Sequence, residues 1–247
     1  MDQPRSRVRW APVALAAAAA VAGPALCLTV TDGIGRADGG GATVVGRVLY
    51  KGTVPPAQEI DVTRDADVCG AKQSLQLVSI DAATRGLQQA VVSVEGAPSP
   101  GEAPASETVS ILNQKCAFAT RIMTARIGAT LEIKNADPVM HNTHVRLDKR
   151  TFLNVALVSG GRPVQKPVKV PGLMNVQCDR HKFMQGYVLA FDHPFHILTD
   201  ATGQFRLSGV PAGTRTITVW HETLGTVKKD IQVPASGEVQ VMLEVGS

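Results

Sequence analysis

Apolar residues recur at every second position through long parts of this chain. Between Thr130 and Asn135, Leu131 and Ile133 alternate with Glu132 and Lys134. Near the C-terminus, Val239, Val241, Leu243 and Val245 alternate with Glu238, Gln240 and Glu244. A period of two belongs to a strand with one buried face. Strands are also expected over residues 43–55, where Gly52 and Pro55 close a turn, and over 89–94, 122–127, 152–155, 164–170, 174–177, 187–191 and 216–220. Residues 56–88 are polar and poorly periodic and predict no element, and Pro98 to Ser106 reads as an exposed linker.

Composition agrees with a loop-rich all-β globule: 247 residues, 44% hydrophobic and 19% charged, with 23 Gly and 15 Pro. The N-terminus follows another rule. Arg5, Arg7 and Arg9 precede an uncharged Ala/Val/Leu run from Ala11 to Val30, so residues 1–37 read as an export signal, with an uncleaved membrane anchor as the alternative. Four Arg and two Asp of the formal +4 lie in this leader, which leaves 21 basic against 19 acidic side chains, a net of +2. Such a balance gives no reason to expect nucleic acid.

Two short stretches carry chemistry: Cys178-Asp-Arg-His-Lys-Phe-Met184 and Met140-His-Asn-Thr-His144. Cys178, His181 and Met184 sit three residues apart in one loop, and His141 is expected from a second loop brought close by a sheet. A thiolate, two imidazoles and a thioether form the donor set of a one-electron copper site. Other readings stay open: a Cys-x-x-His pair is also half of a zinc site, and a lone Cys or Met is commonly core filler. Met174, before the loop, reads as core.

These motifs, with the Asn135-Ala-Asp-Pro-Val-Met-His-Asn-Thr-His144 run and the apolar strand after Gly186, resemble the small blue-copper cupredoxins of the amicyanin and plastocyanin type. The resemblance implies a Greek-key β-sandwich over residues 108–192 with one copper ion held by His141, Cys178, His181 and axial Met184. It gives His144 no ligand role and makes Asn142 the tie between the ligand segments. It also implies that His181 reaches the surface as an electron port, within a patch shared with Phe183 and Met140. The implied function is single-electron transfer with a cytochrome c or an amine-dehydrogenase-like donor. The rivals are a non-redox copper-binding or delivery protein and a surface binding module. With Cys178 assigned to the metal, Cys69 and Cys116 remain, and an oxidising periplasmic or extracellular compartment favours joining them as a disulfide. Two separate buried thiols are the alternative.

After Asp192, the Thr199-Asp-Ala-Thr-Gly-Gln-Phe-Arg-Leu207 run followed by Pro211-Ala-Gly213 resembles the carboxypeptidase regulatory-like, transthyretin-like β-sandwich. The Gly-x-Val strand and Gly-x-x-Pro turn of that module occur instead at Gly46–Val48 and Gly52–Pro55. Residues 43–97 and 193–247 are therefore expected to build one discontinuous sandwich with the copper domain inserted. His193, His221 and Glu222 could make a second metal site, although histidines packed between the sandwiches are the plainer expectation. No catalytic triad, paired-carboxylate motif or phosphate loop stands out, so no enzyme is expected.

Overall fold

The computed structural model describes residues 41–97 and 107–246. The expected leader over residues 1–37 and the linker from Pro98 to Ser106 lie outside them. Among the described residues no helix is long and apolar enough to cross a membrane.

The fold is all-β, and two apolar cores organise it. The first is enclosed by two sheets. One places strand Ala42–Tyr50 between Gln204–Val210, antiparallel, and Glu238–Val245, parallel. The other runs His196–Leu198, Val91–Glu95, Gly213–His221, Gly225–Val233. Val44, Val48, Val92, Val94, Phe205, Leu207, Ile217, Val219, Val241 and Leu243 meet between them. Alternation made Val241 and Leu243 predictable, because successive side chains of a strand point to opposite faces. Gly46 has a packing reason: a Cβ there would come within 2.7 Å of the Phe205 ring, which lies across it from the paired strand.

The second core lies between residues 109 and 190. A five-stranded sheet orders Arg150–Leu157, His141–Leu147, Gly172–Cys178, Gln185–Phe191 and Ile122–Arg126. A four-stranded sheet orders Val164–Pro167, Thr130–Asn135, Thr108–Gln114 and Ala117–Phe118. Ile111, Leu131, Ile133, Val145, Met174, Val176, Cys178, Met184 and Val188 fill the space between them. Met174 is fully buried here, as expected of a core residue. The outer faces of the two sandwiches meet through Val91, Ile122 and Leu189, with Tyr187, Phe191, Leu198 and Trp220 packed around them.

Several elements depart from the sequence reading. The polar stretch without expected structure contains a hairpin, Gln58–Asp61 with Lys72–Leu75, and a short helix, Ala66–Cys69, between its strands. Strand Gly225–Val233 was not expected either; five of its first six residues are exposed, so it shows little alternation. His141 opens strand His141–Leu147 rather than sitting in a loop, and the strand escaped notice because its buried positions include the polar His141, Thr143 and His144.

Strands Gln204–Val210 and Glu238–Val245 do not pair with each other, and Ala42–Tyr50 bridges them. A fragment of residues 193–247 expressed alone is therefore expected to stay unfolded, with circular dichroism showing no cooperative melt. A stable 193–247 fragment would contradict this pairing as the source of its order.

Candidate metal centre

Register brings the two distant ligand segments together. Strands His141–Leu147 and Gly172–Cys178 are antiparallel neighbours with Thr143 opposite Cys178, so His141 projects just beyond the end of the Cys178 strand. The Asn142 N–H donates to Cys178 Sγ at 3.4 Å, and the Asn142 carbonyl accepts from the Asp179 N–H. Its side chain turns away to Asn154. The tie between ligand segments is therefore made by the Asn142 backbone.

After Cys178 the chain closes a tight loop. The Met184 N–H donates to the His181 carbonyl at 2.9 Å, and the Met184 carbonyl accepts from the Cys178 N–H at 3.2 Å. The His181 N–H also donates to Cys178 Sγ at 3.4 Å. Two N–H groups are thus directed at one sulfur.

The result is a compact buried cluster. Cys178 Sγ lies 3.9 Å from His141 Nδ1 and 3.7 Å from His181 Nδ1, and the two Nδ1 atoms are 3.1 Å apart. His141 and Cys178 are 0% exposed, His181 1% and Met184 2%. Met184 belongs to the same apolar core as Cys178.

The outer ring nitrogens decide what this cluster can hold. His141 Nε2 is 2.8 Å from Asp137 Oδ2, and His181 Nε2 is 2.9 Å from Asp65 Oδ2. Asp137 also accepts the backbone N–H groups of Lys115 and Cys116, as an ionised carboxylate does. The Arg180 guanidinium, helped by His181 against a smaller cost of burial, holds the Asp65 carboxyl down at about 2. A carboxylate only accepts, so each imidazole carries its proton on Nε2 and leaves a lone pair on Nδ1. Burial pushes the His141 imidazole below its usual pKa despite Asp137, which disfavours a second ring proton. Two nitrogen lone pairs and a sulfur then face one point. Such a set fits a cation with an affinity for thiolate and imidazole.

Asp65, Asp137 and Arg180 are the functional residues that sequence reading did not find. Asp137 had a signal, lying four residues before His141 in the Asn-Ala-Asp-Pro run. Asp65 had none: it comes from the hairpin region, 116 positions from His181.

One expectation needs correction. His181 is not an exposed port, because Asp65 and Arg180 cover its outer edge, with side chains 18% and 27% exposed. The patch is dispersed accordingly: Met140 is exposed at 37%, while Phe183 packs against the Cys69, Cys116 and Val62 cluster. Cys69 and Cys116 are joined as a disulfide.

The remaining histidines serve packing. His144 bonds Asp179 through Nδ1 and Thr151 through Nε2. His193, His221 and Glu222 form no metal-ligating cluster among the described residues. Glu222 is paired with Arg121 at 2.8 Å, and the His193 and His221 Nδ1 atoms accept backbone N–H groups. His196 stacks on Phe191, with ring centroids 4.4 Å apart, and neither of its buried nitrogens makes a hydrogen bond.

No family model matches the chain, and no curated protein matches it. Solved structures similar to part of it include a copper-containing nitrite reductase from Thermus scotoductus SA-01, with 18% identity, a TM-score of 0.32 and coverage of 38% of this chain. The chain spans 26% of the length of that reductase. A methionine-to-alanine variant of amicyanin in its Cu(I) form is 17% identical at a TM-score of 0.31, covering 40% of this chain and 98% of amicyanin. A proline-to-phenylalanine variant of reduced amicyanin gives 18% identity and a TM-score of 0.31, covering 42% of this chain and 99% of amicyanin.

Burial first, then His193 and Arg126, pushes His196 down to about 4, and burial with Arg121 does the same to His221. The unfolded chain therefore binds more protons than the folded one between about pH 6.5 and 4, and stability falls on acidification through that window. Glu222, raised by burial, opposes this as a single group against the two histidines. The urea midpoint of the metal-free protein is expected to drop from pH 7 to pH 4.5, and to drop less in His196→Gln. An equal drop in both would exclude His196 as a source.

Proposed function

We propose that this is an exported copper protein that carries single electrons, with His141, Cys178 and His181 as the strong ligands and Met184 as the weak axial one. The observation that carries the reading is the convergence of two Nδ1 lone pairs and one sulfur at 3.1–3.9 Å in a buried cluster. Copper held there would supply one-electron exchange between Cu(I) and Cu(II).

The chain's own part is to keep that cluster fixed. Asp137 and Asp65 hold the rings by their outer nitrogens, the Asn142 and His181 N–H groups hold the sulfur, and the Cys178–Met184 backbone bond closes the loop. Zinc fits less well, since a structural zinc site takes four nitrogen, sulfur or carboxylate ligands. The other cluster among the described residues, Cys116, Asp137 and His141, has its cysteine in the disulfide. Ligand burial also leaves no position open to a substrate, which supports a carrier over an enzyme.

A periplasmic or extracellular location is supported by the Cys69–Cys116 disulfide, a bond that persists in oxidising compartments. The proposed partners are redox proteins such as a cytochrome c or an amine-dehydrogenase-like donor. The proposed division is one regulatory-like sandwich from residues 43–97 and 193–247 with a cupredoxin domain inserted over 108–192; it is supported by the two separate cores. The covered His181 favours a second reading, a protein that holds or delivers copper without passing electrons.

Adding one equivalent of Cu(II) to the purified protein is expected to produce an intense visible thiolate-to-copper band that is absent in Cys178→Ala. Fast bleaching of that band by a reduced cytochrome c supports the carrier, and a band that persists for hours beside the same reductant supports the holder. A colourless wild-type protein would overturn both.

A further inference from the structure

The carboxylate that meets His181 lies outside the ligand motif. Asp65 sits where the hairpin region enters its short helix, in the left-handed conformation at φ 55°. Its Oδ2 accepts from His181 Nε2 at 2.9 Å and from Arg180 Nε at 2.8 Å, and its Oδ1 accepts from the second nitrogen of the Arg180 fork at 2.8 Å. A forked pair of this kind fixes direction as well as distance.

The same segment reaches the other imidazole through a disulfide and two hydrogen bonds. Cys69, four residues after Asp65, is bonded to Cys116, whose N–H donates to the Asp137 carboxylate that holds His141. One disulfide therefore joins the segment that carries Asp65 to a residue whose N–H holds Asp137, and the polar 58–75 segment is fastened across the centre.

We propose that Asp65, delivered by this disulfide-tied segment, is a positioning residue that tunes the oxidation-state preference of the centre, with Arg180 as its counterweight. The inference rests on the copper reading above. A carboxylate on Nε2–H makes the imidazole a stronger donor through Nδ1, and a stronger donor favours the more highly charged ion. Arg180 draws on the same carboxylate and moderates that effect. The two residues should therefore act with opposite signs, which a merely structural pair would not do.

Asp65→Asn keeps an acceptor for His181 Nε2 but removes the charge and leaves Arg180 uncompensated. The ratio of Cu(II) to Cu(I) affinity is expected to fall about tenfold, which raises the reduction potential by about 59 mV. Arg180→Gln frees the carboxylate and is expected to lower the potential. Copper-free protein provides an independent readout: nitrogen-15 NMR should show His181 protonated on Nε2 in the wild type and in Asp65→Asn, and that slowly exchanging proton should be lost in Asp65→Ala. Opposite potential shifts with a preserved Nε2 proton in Asp65→Asn support the proposal. Shifts of the same sign, unchanged potentials, or a His181 proton on Nδ1 in the wild type overturn it. Absence of a thiolate band in the wild type removes the copper reading and this inference with it, whereas a normal band with unmoved potentials removes this inference alone.

Discussion

An ionised carboxylate offers no proton, so an imidazole hydrogen-bonded to one must present its own N–H on that side. Asp137 and Asp65 impose this on His141 and His181, and each ring consequently turns an unprotonated Nδ1 inward. The inward atoms sit 3.1 Å apart beside the Cys178 sulfur in a space closed to solvent. Two nitrogen lone pairs so placed repel one another unless a proton or a cation lies between them. In the proposed metal centre the outer hydrogen bonds therefore matter as much as the candidate ligands.

The β-architecture makes that arrangement possible. Antiparallel pairing with Thr143 opposite Cys178 sets His141 and the sulfur at one end of a sheet, and the following loop returns His181 and Met184 to the same end. Rigid strands fix ligand positions better than free loops do. The first sandwich contributes from outside that unit: the chain that leaves its strand Ala42–Tyr50 supplies the hairpin with Asp65, and the disulfide fastens the hairpin to the ligand side.

What could be read from sequence followed the range over which the signal acts. The Cys178, His181 and Met184 spacing is local, and so is the alternation at Leu131 and Ile133 or at Val241 and Leu243, and the structure places these residues together or in the cores as that spacing requires. The strand beginning at His141 was hidden because its inward positions carry imidazole and hydroxyl groups that pattern reading counts as polar. The burial of His181 was not legible at all, since it depends on Asp65 and Arg180 meeting across 115 positions. A polar hairpin with no apolar period gave no sign that it would bring Asp65 onto His181.

The most direct test of the central claim is copper K-edge X-ray absorption on the loaded protein in both oxidation states. The account predicts one sulfur and two imidazole nitrogens as the strong ligands in the oxidised and the reduced forms alike, with little change in their distances between the two. A shell of nitrogen and oxygen without sulfur, or loss of an imidazole on reduction, would contradict it.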